Sequence, residues 1–157
     1  MTSLPLPPGG RFDGPVHRYA VRAFFEDTDL SGMVYHANYL RWFERARSDM
    51  LRLLGIDQRA AQDAGEGAYA VSEATIRYRA PARLDDVVLI ESVAEDIGAA
   101  SVRLFQQAFR RDADDRLTLL ADVRLRVGFV APDGRPRRQP AAWRAAFATI
   151  TPVPEPQ

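Results

Sequence analysis

The chain contains no cysteine and no lysine, a single asparagine and only two histidines, His17 and His36. Without cysteine there can be no disulfide, no thiolate metal site and no cysteine nucleophile. Two histidines are too few for a histidine-rich metal centre. Without lysine, any cation that holds an anionic ligand must come from arginine, which supplies all 21 basic residues, or from a histidine. There is no charge excess either: 21 acidic residues balance the 21 basic ones, so nothing marks the chain as a nucleic-acid binder. No apolar run approaches the ~20 residues that span a bilayer. Residues 1–14 carry three prolines and three glycines where a secretory signal needs an apolar block, which points to a cytoplasmic protein without membrane insertion.

What is present suits one globular domain with a proper core: 157 residues, 46% of them hydrophobic and 27% charged. The expected division is a flexible arm over 1–16, a folded domain over 17–148 and a flexible tail over 149–157. His17 to Phe25 reads as a strand. A helix is expected from about His36 to Leu54, because Tyr39, Trp42/Phe43, Ala46, Met50 and Leu53/Leu54 recur three or four apart. Arg41, Glu44, Arg45, Arg47, Ser48, Asp49 and Arg52 fall on its polar side, where Arg45 and Asp49 are spaced to pair, and Gly55 stands where a left-handed cap belongs. Beyond it, Ala68–Arg79, Val87–Ile97 and Ser101–Arg111 read as strands. From Leu117 to Phe129 apolar residues alternate with polar ones, the clearest two-residue period in the chain. A short closing helix is expected at about 140–148. The order β-α-β-β-β-β predicts an α+β fold, with one long helix on a five-stranded antiparallel sheet.

The chemistry concentrates in residues 22–47, RAFFEDTDLSGMVYHANYLRWFERAR. A strand runs into an acidic triplet, Glu26, Asp27 and Asp29, then a Ser31-Gly32 corner, then a helix start. Such an order sets a carboxylate beside helix N-terminal N–H groups that lack intrahelical partners. The N–H groups can hold a carbonyl oxygen while the carboxylate works on the carbonyl carbon. Taken alone, Asp29 also fits a turn or helix cap. His36 fits either a satisfied helix-start residue or an acid–base group working near neutral pH. Asn38 could cap the helix or orient a water, and the stripe Tyr39, Trp42, Phe43 fits a core. The few oxygen ligands near Asp27 and Asp29 fall short of a metal site.

As a whole the run closely resembles the 4-hydroxybenzoyl-CoA thioesterase family, which has the hotdog fold. The nearest branch is that of the acyl-CoA thioesterases associated with the Tol–Pal system. Glu26-Asp27-Thr28-Asp29, Gly32, Val34-Tyr35-His36, Tyr39, Trp42-Phe43 and Glu44-Arg45-Ala46-Arg47 carry the likeness, with a second block at Tyr78-Arg79-Ala80-Pro81-Ala82-Arg83-Leu84-Asp85-Asp86. The resemblance implies hydrolysis of an acyl-CoA to a free acid and CoA, without metal or other cofactor. It implies that Asp29 is the catalytic carboxylate and that His36 belongs to the active site, its backbone N–H polarising the thioester carbonyl. Gly32, Val34 and Tyr35 would meet the substrate. Arg79 and Arg83, with Arg135, Arg137 and Arg138 as further candidates, would supply cations for the CoA phosphates. A homodimer with a continuous sheet and sites at the subunit interface, or a homotetramer, is the implied assembly, with the acyl group lying against apolar side chains from both subunits. The branch often has a tyrosine four residues before the catalytic aspartate; here Phe25 stands there, and the phenolic hydroxyl is lost. Two rivals are a hotdog hydratase, and a non-catalytic module that binds acyl-CoA or acyl carrier protein in a lipid or envelope assembly.

Overall fold

A computed structural model describes residues 3–151. Six strands form one sheet in which all neighbours run antiparallel: β1 (Arg11–Asp13), β2 (Val16–Arg22), β3 (Ala68–Tyr78), β4 (Val87–Ile97), β5 (Ser101–Arg111) and β6 (Leu117–Val130). Their order across the sheet is β1-β2-β4-β5-β6-β3. The main helix α1 (Asn38–Leu53) carries the chain from β2, near one edge, to β3 at the other. Two short helices, α2 (Gln58–Asp63) and α3 (Ala141–Ala148), complete it. This is the α+β hotdog arrangement that the resemblance implied, with six strands rather than five.

The helix lies on the sheet because its apolar stripe is continuous. Trp42, Phe43, Ala46 and Met50 are almost wholly buried, against inward-facing Ile90, Leu104, Val123 and Leu125 of the sheet. Of Leu53 and Leu54, both expected on that face, Leu54 packs against the core while Leu53 is 48% exposed, and Leu51 is buried instead. Arg47, expected on the polar side, is buried. Its guanidinium donates to Gln106 Oε1 at 2.9 Å and pairs with Glu44, and Gln106 in turn donates to Phe43 O and Ser92 Oγ. A buried charge needs such partners. Asp49 does not pair with Arg45. It takes the Gly10 N–H at 3.0 Å and the fully buried His17 Nε2 at 2.7 Å.

Three further expectations change. The arm over 1–16 is partly ordered: Gly14, at φ +59°, turns the chain so that Arg11–Asp13 pairs with Val16–Arg18. The tail does not begin at 149, because Ile150 is buried in the core, while residues 152–157 lie outside the described residues. In β6 the inward phase holds from Ala121 to Phe129 but not before. A bulge opposite Ala108/Phe109 buries Leu120 and turns Leu117 outward, 46% exposed.

β3 is unlike the other long strands. It has β6 on one side only, and its inward-facing Val71 and Tyr78 are 50% and 44% exposed. α1 meets Tyr78 at one end and α3 meets Tyr69 at the other, while residues 70–75 between them are exposed, so among the described residues an eleven-residue strand offers a free edge and a partly uncovered face.

Candidate active site

The loop between β2 and α1 begins with a 3₁₀ turn at Phe25–Asp27, where Asp27 Oδ2 accepts the Phe24 N–H at 2.8 Å. A tight hairpin follows. Thr28 bridges Val34, and the Asp29 N–H donates to Met33 O at 3.0 Å. Leu30, Ser31 and Gly32 form its tip. Gly32 sits at φ +79°, which a side chain would strain. Asp29 is thus held where the hairpin closes.

Asp29 is exposed, and one of its oxygens is occupied. Oδ1 accepts the Ser31 N–H at 2.8 Å and also a bond from the Ser31 hydroxyl, and Oδ2 has no partner among the described residues. The Ser31 hydroxyl, then the Ser31 N–H, hold the carboxyl below its ordinary pKa, with a smaller electrostatic contribution from His36. The group stays ionised and cannot swing freely.

Past Val34 the chain turns into α1. Tyr35 N–H donates to Asp27 O at 2.8 Å and Asn38 N–H to Tyr35 O at 2.9 Å. Among the described residues, the backbone N–H groups of His36 and Ala37 have no acceptor, and Ala37, at the cap position, offers no side-chain bond. The helix therefore begins with backbone donors left unoccupied among the described residues, a few residues along the chain from a fixed carboxylate. Asn38 does not cap the helix. It is buried within the first turn, its Nδ2 unpartnered. The rings of Tyr35 and His36 lie 4.5 Å apart between centroids, both side chains exposed.

The second sequence block passes directly behind this corner. Val34 N–H donates to Ala82 O at 2.8 Å, Met33 bridges Arg83, and Asp85 N–H donates to Ala23 O at 2.9 Å. Two stretches about fifty residues apart are thus stitched together, and Asp29, Gly32, Val34, Tyr35, His36 and Arg83 share one corner of a single chain. The Arg83 side chain is exposed and makes no ion pair among the described residues, while the backbone N–H of Arg83 donates to Asp86 Oδ2 at 2.8 Å. Arg79 is less available, since it pairs with Asp122 at 3.1 Å. Arg135 and Arg137 stand beyond the far end of β6, roughly 30 Å along the strands from the corner at ~3.3 Å per residue, and Arg137 is tied to the carbonyls of Gly65 and Glu66. Phe25 begins the 3₁₀ turn with its ring 82% exposed.

Two contributors stand inside the motifs, yet the motifs give them no role. Ser31 looked like a mere corner residue; a serine two positions after an aspartate is a known local hydrogen-bonding pattern and was the available signal. Tyr78 bonds to the His36 carbonyl across 42 residues, and no local pattern announces that.

The chain matches the model of the thioesterase-like superfamily over residues 24–155. It is 37% identical over 131 residues to the acyl-CoA thioester hydrolase YbgC of Escherichia coli O6:H1, covering 83% of this chain and 94% of that one. It is 38% identical over 94 residues to the acyl-CoA thioesterase YbgC of Haemophilus influenzae, covering 60% and 68% respectively. The fold superposes on a 4-hydroxybenzoyl-CoA thioesterase mutant complexed with 4-hydroxybenzoyl-CoA, with a TM-score of 0.78 at 20% identity over 85% of this chain and 99% of that one.

Proposed function

The chain belongs to the thioesterase-like superfamily, and from that premise we propose that it hydrolyses acyl-CoA thioesters at the corner between the Asp29 hairpin and the start of α1. The single observation that carries this reading is the pairing of a fixed, ionised carboxylate with unoccupied backbone donors at a helix start. A thioester carbonyl carbon is electrophilic and a thiolate leaves readily, so no serine–histidine pair is needed. Oδ2 of Asp29 either attacks the carbonyl carbon, giving a mixed anhydride that water then opens, or takes a proton from the attacking water. In both routes the carbonyl oxygen gains negative charge, the carbon–sulfur bond breaks, and the CoA thiolate leaves and takes up a proton. The His36 and Ala37 N–H groups hold the oxygen while its charge develops.

Around the corner, Phe25, Met33, Tyr35 and Leu84 are each at least 40% exposed, an apolar rim on which an acyl group can lie. Arg83 is the cation we assign to the CoA phosphates, because it has no ion pair among the described residues and adjoins Met33. Gly32 and Val34 shape the hairpin that presents Asp29. The acid is released inside the cytoplasm, where CoA thioesters are held.

The test is turnover of a panel of acyl-CoAs, aliphatic and aromatic, by the wild type and Asp29→Asn. The substitution keeps size and most hydrogen bonding but removes both nucleophile and base. A loss of about two or more orders of magnitude in kcat is expected, with thermal stability nearly unchanged. His36→Ala, which retains the backbone N–H, is expected to lose less. A folded Asp29→Asn protein with near wild-type turnover would defeat the proposal, and a wild type that binds acyl-CoA without hydrolysis would favour a binding module.

A further inference from the structure

Tyr78 ends β3, and its side chain crosses to the first turn of α1. Its ring meets those of Tyr39 and His36 edge-on, at centroid distances of 5.7 and 6.1 Å, and its hydroxyl donates to the His36 carbonyl oxygen at 2.7 Å. Among the described residues that carbonyl accepts no backbone N–H: Asn38 N–H donates to Tyr35 O and Leu40 N–H to Ala37 O. Burial, and then the neighbouring Tyr35, push the Tyr78 pKa above the ordinary 10.0, so the hydroxyl remains a donor throughout the neutral range.

The acceptor belongs to the peptide joining His36 to Ala37. In a planar trans peptide the C=O and N–H point in opposite directions. Fixing the oxygen therefore fixes the direction of the Ala37 N–H, one of the two unoccupied donors. A hydrogen bond to the oxygen also polarises the N–H of the same peptide and strengthens it as a donor. No other side chain among the described residues bonds this peptide, and α1 has no side-chain cap of its own to hold its first turn.

We propose that Tyr78 is a positioning residue for thioester hydrolysis: by gripping the His36 carbonyl, it aims the Ala37 N–H at the carbonyl oxygen of the bound substrate. The inference rests on the helix-start reading above. It gives the edge strand a part in the chemistry that its place in the sheet does not suggest.

Tyr78→Phe removes the hydroxyl and keeps the ring packing. The expected result is a kcat about tenfold lower, a smaller loss than removal of a direct oxyanion donor. KM and the pH dependence of the rate should stay unchanged. A second measurement does not depend on turnover. An acyl-CoA labelled with carbon-13 at the thioester carbonyl is bound to Asp29→Asn, and its carbonyl stretch is recorded by difference infrared spectroscopy. Adding Tyr78→Phe should shift that band to higher frequency, because the oxygen is held less strongly. An unchanged kcat, a rise in KM alone, or an unmoved band with ligand bound would each overturn the inference. Full activity in Asp29→Asn would instead remove the reading on which it rests.

Discussion

At the scale of single residues, the corner depends on groups that restrain rather than react. Ser31 is the clearest case. Its hydroxyl and N–H both bind Asp29 Oδ1 and lower the carboxyl's pKa. A base whose pKa is depressed stays charged further into acid, and its activity is lost only as pH falls through that depressed value. Ser31→Ala removes the larger of the two contributions, so the midpoint must rise toward the ordinary 3.8. Titration of the Asp29 carboxyl carbon by NMR in both proteins checks this, and a midpoint unmoved by Ser31→Ala would refute it. The residue scale is also where sequence reading reached its limit. The closeness of Asp29 to His36 was legible, because hairpin and helix start adjoin in the chain. The grip of Tyr78 on His36 was not, because it depends on where β3 ends in three dimensions. The burial of Arg47 was hidden as well, since an arginine on a helix flank reads as solvated unless its partner, Gln106 on β5, is known.

At the scale of elements, β4 and β5 begin and end where alternation and turn residues put them, because one period runs from Val88 to Ala94 and from Val102 to Ala108, and the bulge between Ala94 and Asp96 touches only the end of β4. β6 breaks that rule at one bulge, which no periodicity can announce. β1 is too short to have a pattern, although Gly14-Pro15 offered a turn. α2 went unread although Asp57 caps it by accepting the Ala60 N–H at 2.9 Å. The way β1 is fastened has a measurable consequence. His17 on β2 is fully buried, its Nε2 bound to Asp49 on α1 and its Nδ1 without a partner, while Asp49 also holds Gly10 just ahead of β1. Burial lowers the His17 pKa below 6.5, and the opposing pull of Asp49 offsets this only in part. The unfolded chain therefore binds a proton that the folded chain resists. Stability is full above about pH 6.5 and falls as pH drops from there toward the lowered value. The melting temperature should decline between pH 7 and pH 5, and the decline should be shallower in His17→Asn. Equal slopes in the two proteins would show that this histidine is not responsible.

At the scale of the molecule, the free edge of β3 is the feature that most needs an explanation. An eleven-residue strand with open backbone groups and a half-exposed apolar face invites pairing. A second copy laid antiparallel along it would extend the sheet across a two-fold axis, and we expect a homodimer, or a tetramer made of two such dimers. Light scattering at micromolar concentration should give at least about twice the 17.5 kDa of the chain. Ala74→Arg, in the middle of the exposed strand, should reduce that mass. A fully active monomer would contradict the expectation.

The polar groups of the corner, Asp29, Ser31, His36, Tyr78 and Arg83, all come from one chain. Were two copies to pair, one intact and one crippled at Asp29, the intact copy would bring its own Asp29, Ser31 and Tyr78 to its corner. Output from such mixtures should then fall in proportion to the share of damaged chains, and a steeper fall would show that the partner completes the site.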